Sequence, residues 1–219
     1  LIPNNVILLF NSTNYKAVAE KSITVTIAKA NNTLTLSSAS GTYTYPTSGT
    51  FTVTKNTSGG SLSCTSSNTS VATCSISGTT VTVVPGTTAG TATLTIKSAA
   101  TTNYKETTAS HVVTTASGTL SVTANGYSGT YDGAAHGITV TASGATIKYG
   151  TASGTYDKDA SPTYTNPGTY TVYYRVTKTG YATVTGSKTV VIDSLSASNV
   201  YYNNSTYTNG EDKTIQETL

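Results

Sequence analysis

Hydrophobic and polar residues alternate along most of the chain with a period of two. The clearest run covers residues 169–176, and its apolar face carries Tyr170, Val172, Tyr174 and Val176. Such alternation is typical of a half-buried β-strand. After a break at Thr179-Gly180, a second run closes at residues 188–192. The two runs predict the last two strands of a small β-sandwich.

The same strand, turn and strand unit occurs twice earlier in the chain. Its marker residues are Tyr15, Tyr104 and Tyr181, so the periods are 89 residues (15 to 104) and 77 residues (104 to 181). Solenoid repeats are shorter, at roughly 20–50 residues. The spacing therefore predicts tandem domains, and no site has to be shared between them.

The repeat also predicts domain limits. Residues 30–115 and residues 116–193 each form a complete unit. Residues 1–29 supply two strands that close a truncated domain or are donated to another sheet. Residues 194–219, with a hairpin signal at Asn209-Gly210, form a tail or open another module. Because the chain has no Met and begins within closing strands, we expect a piece of a longer protein with a secretion signal upstream.

Composition narrows the class of protein further. Charged residues make up only 10% of the chain and the net charge is +3, without a basic run, so nucleic acid is not an expected partner. No apolar run reaches the roughly 18 residues of a membrane span, so membrane insertion is not expected. Thr, Ser, Gly and Tyr dominate, and apolar spacing typical of helices is nearly absent. These features predict an all-β fold.

Two runs in the first unit carry a family resemblance. Residues 66–74 read S-S-N-T-S-V-A-T-C, and residues 89–96 read A-G-T-A-T-L-T-I. In this order they resemble the bacterial Ig-like family.

The second unit carries another set of motifs. Residues 131–136 read Y-D-G-A-A-H, residues 148–150 read K-Y-G, and residues 168–174 read G-T-Y-T-V-Y-Y. They are similar to a second Ig-like repeat type, found in long cell-surface proteins of Gram-positive bacteria and in phage tail proteins. The resemblance implies sandwiches of about seven strands, no enzymatic activity, and use as a spacer or adhesive module. The expected fold is a series of tandem Ig-like β-sandwiches.

The only two cysteines, Cys64 and Cys74, flank a polar loop. An even count in a chain that otherwise resembles secreted proteins favours a disulfide, which would stabilise the fold by roughly 2–3 kcal/mol. The alternative is two free thiols packed as small hydrophobic groups. Two Cys without a nearby His cannot fill a zinc site, so no metal is expected there.

Candidate catalytic and metal-binding residues are few. His111 and His136 lie in different units and are interpreted as structural, so no catalytic triad is expected and the chain is not expected to be an enzyme. Asp157 and Asp159, with Asp132, are the one carboxylate set considered for calcium, but this pattern is more typical of solvated turns. No cofactor and no metal are expected.

The tyrosines, 16 in all, are the most informative residues. Tyr170 and Tyr174 are expected in the core, with one hydroxyl bonded back to a loop as in a tyrosine corner. Tyr156 and Tyr173 are then left for the surface, where exposed rings can contact glycan or protein.

Three functions remain open from the sequence. The first is a structural and adhesive stalk of tandem Ig-like domains, extracellular, on a bacterial cell surface or a phage tail. The second is a subunit of a self-assembling filament, in which residues 1–29 complete the sheet of a neighbouring copy. The third is a carbohydrate-binding module. Expected partners are neighbouring Ig-like domains, other copies of the chain, and surface glycan or protein.

Overall fold

The computed structural model describes residues 5–7, 22–24 and 26–195, and for the first two ranges only the backbone is described. All regular secondary structure in these residues is β-strand. Two compact units are present: Leu1–Leu120 with Lys178–Ala182, and Ser121–Thr177 with Thr183–Leu219. The domain limits derived from the sequence remain predictions.

The chain opens with a short antiparallel pair. Strand β1 (Asn5–Ile7) pairs with β2 (Ser22–Thr24), in the region where two strands were expected. Tyr15 lies outside the described residues, and so does the predicted hairpin at Asn209-Gly210.

The first unit has eight further strands. They are β3 (Leu34–Leu36), β4 (Ser40–Thr44), β5 (Gly49–Asn56), β6 (Leu62–Ser66), β7 (Ala72–Ser77), β8 (Thr80–Pro85), β9 (Gly90–Ser98) and β10 (Thr107–Ala116). Two four-stranded sheets form, in the orders β3-β5-β8-β7 and β4-β10-β9-β6. Strand β4 runs parallel to β10, and the other ladders are antiparallel. This strand order is that of an Ig-like sandwich.

Alternation along the central strands builds the core of the first unit. The buried hydrophobic positions are Phe51, Val53, Ala72, Val81, Val83, Leu94, Ile96 and Val113. They come from both sheets, so the two inner faces pack against each other. Each large side chain buried in this way contributes about 1.5–3 kcal/mol.

A network of uncharged polar side chains lies within the first unit around Ser98. The Ser98 hydroxyl is completely buried and donates to Oδ1 of Asn56 at 2.9 Å. Asn32 Nδ2 donates to Ser98 Oγ at 3.0 Å, and Ser58 Oγ lies 3.1 Å from it. Since buried polar groups are costly when unpaired, this network ties three separate segments together.

The second unit has six strands among its described residues. They are β11 (Thr123–Asn125), β12 (Tyr127–Thr130), β13 (Thr139–Thr141), β14 (Thr146–Gly150), β15 (Gly168–Thr177) and β16 (Val184–Asp193). One sheet has the order β12-β16-β15-β14, with β12 parallel to β16, and β11 pairs with β13. The core between them comprises Ile138, Val140, Tyr149, Val172, Val176, Val190 and Ile192.

The second unit departs from the expected pattern in two places. Its first strand, β11, begins only at Thr123, whereas the predicted unit begins at residue 116. Residues 151–167 form a loop, where the first unit has β7 and β8. This loop still contributes to the sandwich, because Ser161 Oγ accepts a hydrogen bond from the Ile138 amide at 3.0 Å. A hydroxyl thus replaces a strand as the partner of that amide.

Candidate ligand surface

The two cysteines occupy edge strands of opposite sheets. Cys64 lies in β6 and Cys74 in β7, and a disulfide joins them with their Cα atoms 6.1 Å apart. Both side chains are half-buried and pack against the core. The bond therefore links the two sheets of the first unit along one side, and its role is structural.

His111 is fully engaged in packing. Its side chain is 1% exposed and its ring stacks on Phe51 with centroids 4.0 Å apart. Nδ1 lies 2.9 Å from the Ser38 carbonyl oxygen, which can only accept, so Nδ1 carries the proton. Nε2 lies 3.3 Å from the Tyr43 hydroxyl oxygen. Both ring nitrogens of His111 therefore have partners within the fold.

His136 and Asp132 hold a turn in the second unit. Nε2 of His136 lies 2.9 Å from Oδ1 of Asp132, and the imidazole stacks on Tyr127 with centroids 3.7 Å apart. The hydrogen bond from His136, and next that from the Ala134 amide, hold the pKa of Asp132 below its usual value. The hydrogen bond between His136 and Asp132 gives the aspartate and the histidine of the Y-D-G-A-A-H motif a structural role.

The three aspartates considered for calcium have separate partners. Asp132 binds His136, Asp159 pairs with Lys148, and Asp157 lies 3.5 Å from the ammonium of Lys158. Within the described ranges, no group of three or more His, Cys, Asp and Glu side chains is arranged to hold a metal ion. Each of these carboxylates therefore pairs with a lysine or a histidine side chain.

Tyr170 and Tyr174 were expected in the core, and both are half-buried instead of belonging to it. The Tyr170 hydroxyl donates to the Asn166 carbonyl oxygen at 3.1 Å, near the start of β15. Its ring stacks on Tyr164 with centroids 3.9 Å apart. This is the arrangement of a tyrosine corner, and the expected hydroxyl-to-loop bond is confirmed. Tyr174 lies half-buried on the same face of β15 as Val172 and Val176.

The loop after β14 folds back against its own strand. Tyr149 and Lys158 exchange two backbone hydrogen bonds, with N···O distances of 2.8 and 3.0 Å. Gly150 permits this return, because the Thr155 carbonyl oxygen occupies the space that a Cβ atom would need. Because Tyr156 is two residues before Lys158, this return places Tyr156 beside the end of β14.

Arg175 stands next to Tyr156 on the outer face of the sheet. Its guanidinium carbon lies 5.2 Å from the centre of the Tyr156 ring, a cation–π contact. On β15 the inward positions are Val172 and Val176, so Arg175 points outward and is exposed. Its neighbours across the ladders are Lys148 and Thr185.

Tyr173 completes this group. It lies two residues before Arg175 and therefore on the same outer face. Its neighbours across the ladders are Gly150 on β14 and Ser187 on β16. We call Tyr156, Tyr173 and Arg175 the aromatic–arginine surface.

From the sequence, Tyr156 and Tyr173 are predicted to lie at the surface, whereas Arg175 is not among the predicted contact residues. Arg175 is the single arginine of the chain, and it falls at an outward position of the best-defined strand. A lone arginine at an outward strand position is a sequence feature by which Arg175 could be identified as a candidate contact residue. The return of the loop at Gly150, which brings Tyr156 to Arg175, could not be read from spacing alone.

No protein-family model and no curated protein matches the chain. Similar solved structures include titin domains Z1Z2 in complex with telethonin (12% identity, TM-score 0.39, 77% of this chain and 100% of that one). Domains 4–9 of the surface layer protein SbsC match at 21% identity and TM-score 0.32, covering 80% of this chain and 33% of that one. Protocadherin gamma C5 EC1-3 matches at 12% identity and TM-score 0.33, covering 87% and 77%.

The class of protein follows from the fold. The chain is all-β, and its strand order in the first unit is that of an Ig-like sandwich. Its structural neighbours are Ig-like, cadherin and surface-layer domains, at TM-scores too low to carry an argument about function. The chain spans about one third of the SbsC fragment it matches. The described residues contain no helix long and apolar enough to span a membrane.

Proposed function

We propose that the protein is a non-enzymatic structural and adhesive segment, a stalk of tandem Ig-like domains. The observation that carries this is a parallel pairing near the ends of each unit. In the first unit β4 pairs with β10, and in the second β12 pairs with β16, which is the last strand among the described residues.

Parallel pairing matters because of the direction in which load is applied. Tension pulls the earlier strand of each pair, β4 or β12, toward its N-terminus and the later strand, β10 or β16, toward its C-terminus. In a parallel pair these directions are opposed along one axis, so the hydrogen bonds of the ladder are sheared together. Five residue pairs from Ser40↔Val112 to Ala116↔Thr44 form this ladder in the first unit. Antiparallel pairing would let the bonds open one after another.

The outer faces of the first unit also support a stalk. Thr50 lies opposite Thr82, and Thr82 lies opposite Ser75. On the other sheet, Thr114 lies opposite Thr91. Hydroxyl side chains keep a strand surface hydrated without a strong field of either sign.

The cellular setting belongs to the same proposal. A disulfide in a domain of this size favours an oxidising, extracellular location. The motif resemblances favour a bacterial cell-surface protein or a phage tail protein as the parent. Both histidines are committed to packing, which supports a non-enzymatic role. Neighbouring domains of the same protein are the first partners expected.

Small-angle X-ray scattering with light scattering over a concentration series tests the stalk. The expected result is a monomer whose maximum dimension requires two lobes in series. A compact single-lobed profile would contradict it.

The alternative function is a filament subunit joined by strand exchange. It is favoured by the pairing of β1, which among the described strands pairs with β2 alone. Two strands cannot bury a face by themselves, so they need an acceptor sheet. In the same concentration series, growth into long particles would support this alternative, and a monomer at every concentration would remove it.

A further inference from the structure

Arg175 occupies a position in the sheet that carries an electrostatic cost. It stands directly opposite Lys148 in the ladder between β14 and β15, and like charges in this position destabilise a sheet. Asp159 pairs with Lys148 and offsets that charge. Among residues 26–195, no carboxylate lies within ion-pair distance of Arg175. Other outward positions of β15, Thr169 and Thr171, are uncharged.

The surroundings of the guanidinium leave it open to a ligand. Tyr156 contacts it through the face of the ring, which uses none of the planar N–H donors. Those donors form a fork that matches the two oxygens of a carboxylate. The side chain is exposed, so an anion can reach it from solvent.

Tyr173 provides a platform beside that fork. Its cross-strand neighbours are Gly150, which has no side chain, and Ser187, which has a small one. Tyr173 is half-buried: the Thr155 carbonyl fills the space over Gly150, and Ser187 is exposed. A flat ring with a hydroxyl at its tip suits a sugar, whose own ring has an apolar C–H face and polar edges.

The strand edge next to this surface is partly occupied. The returning loop forms one β-bridge with β14, between Tyr149 and Lys158, so an extended peptide cannot pair with that residue. The same pairing holds Tyr156 in place before a ligand arrives, which lowers the entropy lost on binding. These features favour a ligand that lies on the sheet face.

We propose that the aromatic–arginine surface binds a sugar-acid residue of an anionic polysaccharide. The carboxylate of the sugar is held by the Arg175 fork, its ring rests on Tyr173, and Tyr156 borders the site. The ion pair of Lys148 and Asp159 lies alongside and offers hydrogen-bond groups to the hydroxyls of an adjacent sugar. This inference rests on the proposed adhesive role and gives it a ligand class.

Calorimetric titration of the full chain with a galacturonic-acid oligomer tests the proposal. The matched ligand is the same oligomer with its carboxyls methyl-esterified, which keeps the ring and removes the charge. We expect the acid form to bind and the ester to bind at least about tenfold more weakly, because the charge-assisted bidentate pair is lost. Absence of binding by the acid form would overturn the proposal.

Variants assign the binding to this surface. Arg175→Gln and Tyr173→Ser should each weaken binding about tenfold or more. Lys188→Gln removes one positive charge from an exposed position of β16, and Tyr131→Ser removes an exposed tyrosine elsewhere. Both control variants should bind the oligomer as the unmodified chain does. Unchanged thermal unfolding of each variant verifies the fold.

Two results would contradict the assignment. If Arg175→Gln and Lys188→Gln weaken binding equally, general charge explains it and the site is wrong. If a glutamate oligomer binds as tightly as the galacturonate, the tyrosines confer no sugar preference and the ligand class is wrong. Either result would leave the stalk intact, because that proposal is judged by scattering and not by binding.

Discussion

Buried polar side chains of the first unit have partners that are distant in the sequence. Ser98 contacts Asn56 and Asn32 at separations of 42 and 66 residues, and His111 contacts Tyr43 at a separation of 68. The topology of the sandwich, and not local strand alternation, brings these partners together.

The polar network of the first unit should be sensitive to loss of its central acceptor. Asn56 Oδ1 accepts hydrogen bonds from Asn32, Ser58 and Ser98. Asn56→Ala leaves buried donors unpaired and should lower the free energy of unfolding by about 1–3 kcal/mol. Urea denaturation measures this loss. The exposed neighbour Lys55→Ala is the control, with a change expected within about 0.5 kcal/mol. Equal losses would show that the network is not stabilising.

Alkaline stability should depend on Tyr43. Burial raises the pKa of this hydroxyl above its ordinary value of 10.0, so the folded state favours the protonated form. That stabilisation is complete below pH 10 and is lost as pH rises through the folded-state pKa. Stability measured by urea denaturation from pH 9 to 11.5 should therefore fall more steeply in the unmodified chain than in Tyr43→Phe. Part of the slope should remain, because burial also raises the pKa of Tyr149. Identical slopes would contradict this assignment.

Whole strands were predictable where they are long and alternate cleanly, as in β9, β15 and β16. Short strands such as β4 and β12 are harder, because five or four residues give little periodic signal. Their parallel partners, β10 and β16, lie far along the chain. The Ig-like resemblance implied a sandwich, and the ladders specify which strands close it.

The disulfide should stabilise the first unit alone. It closes a loop with a sequence separation of 10 residues and joins β6 to β7 across the two sheets. Cys64→Ser with Cys74→Ser should lower the free energy of unfolding of that unit by about 2–3 kcal/mol. Denaturation followed by amide hydrogen exchange reports each unit separately. Equal loss of protection in β15 and β16 would contradict a local role.

The molecule as a whole consists of two units that differ in detail. The first has two four-stranded sheets, and the second replaces two strands with the loop at residues 151–167. That replacement creates the aromatic–arginine surface, since the loop supplies Tyr156. Tyr156 and Tyr173 could be chosen from the sequence as surface residues. Arg175 and the way the three meet required the folded chain.

The central claim is that each unit bears load through its parallel terminal pair, and single-molecule pulling from both ends tests it most directly. The account predicts two separate rupture events per chain, one for each unit. Reduction of the disulfide should lengthen one event by about 27–30 Å and should leave the other unchanged, since ten Cα–Cα steps of about 3.3–3.6 Å each replace the 6.1 Å that separates the bonded residues. Gradual extension without two distinct ruptures would contradict the account.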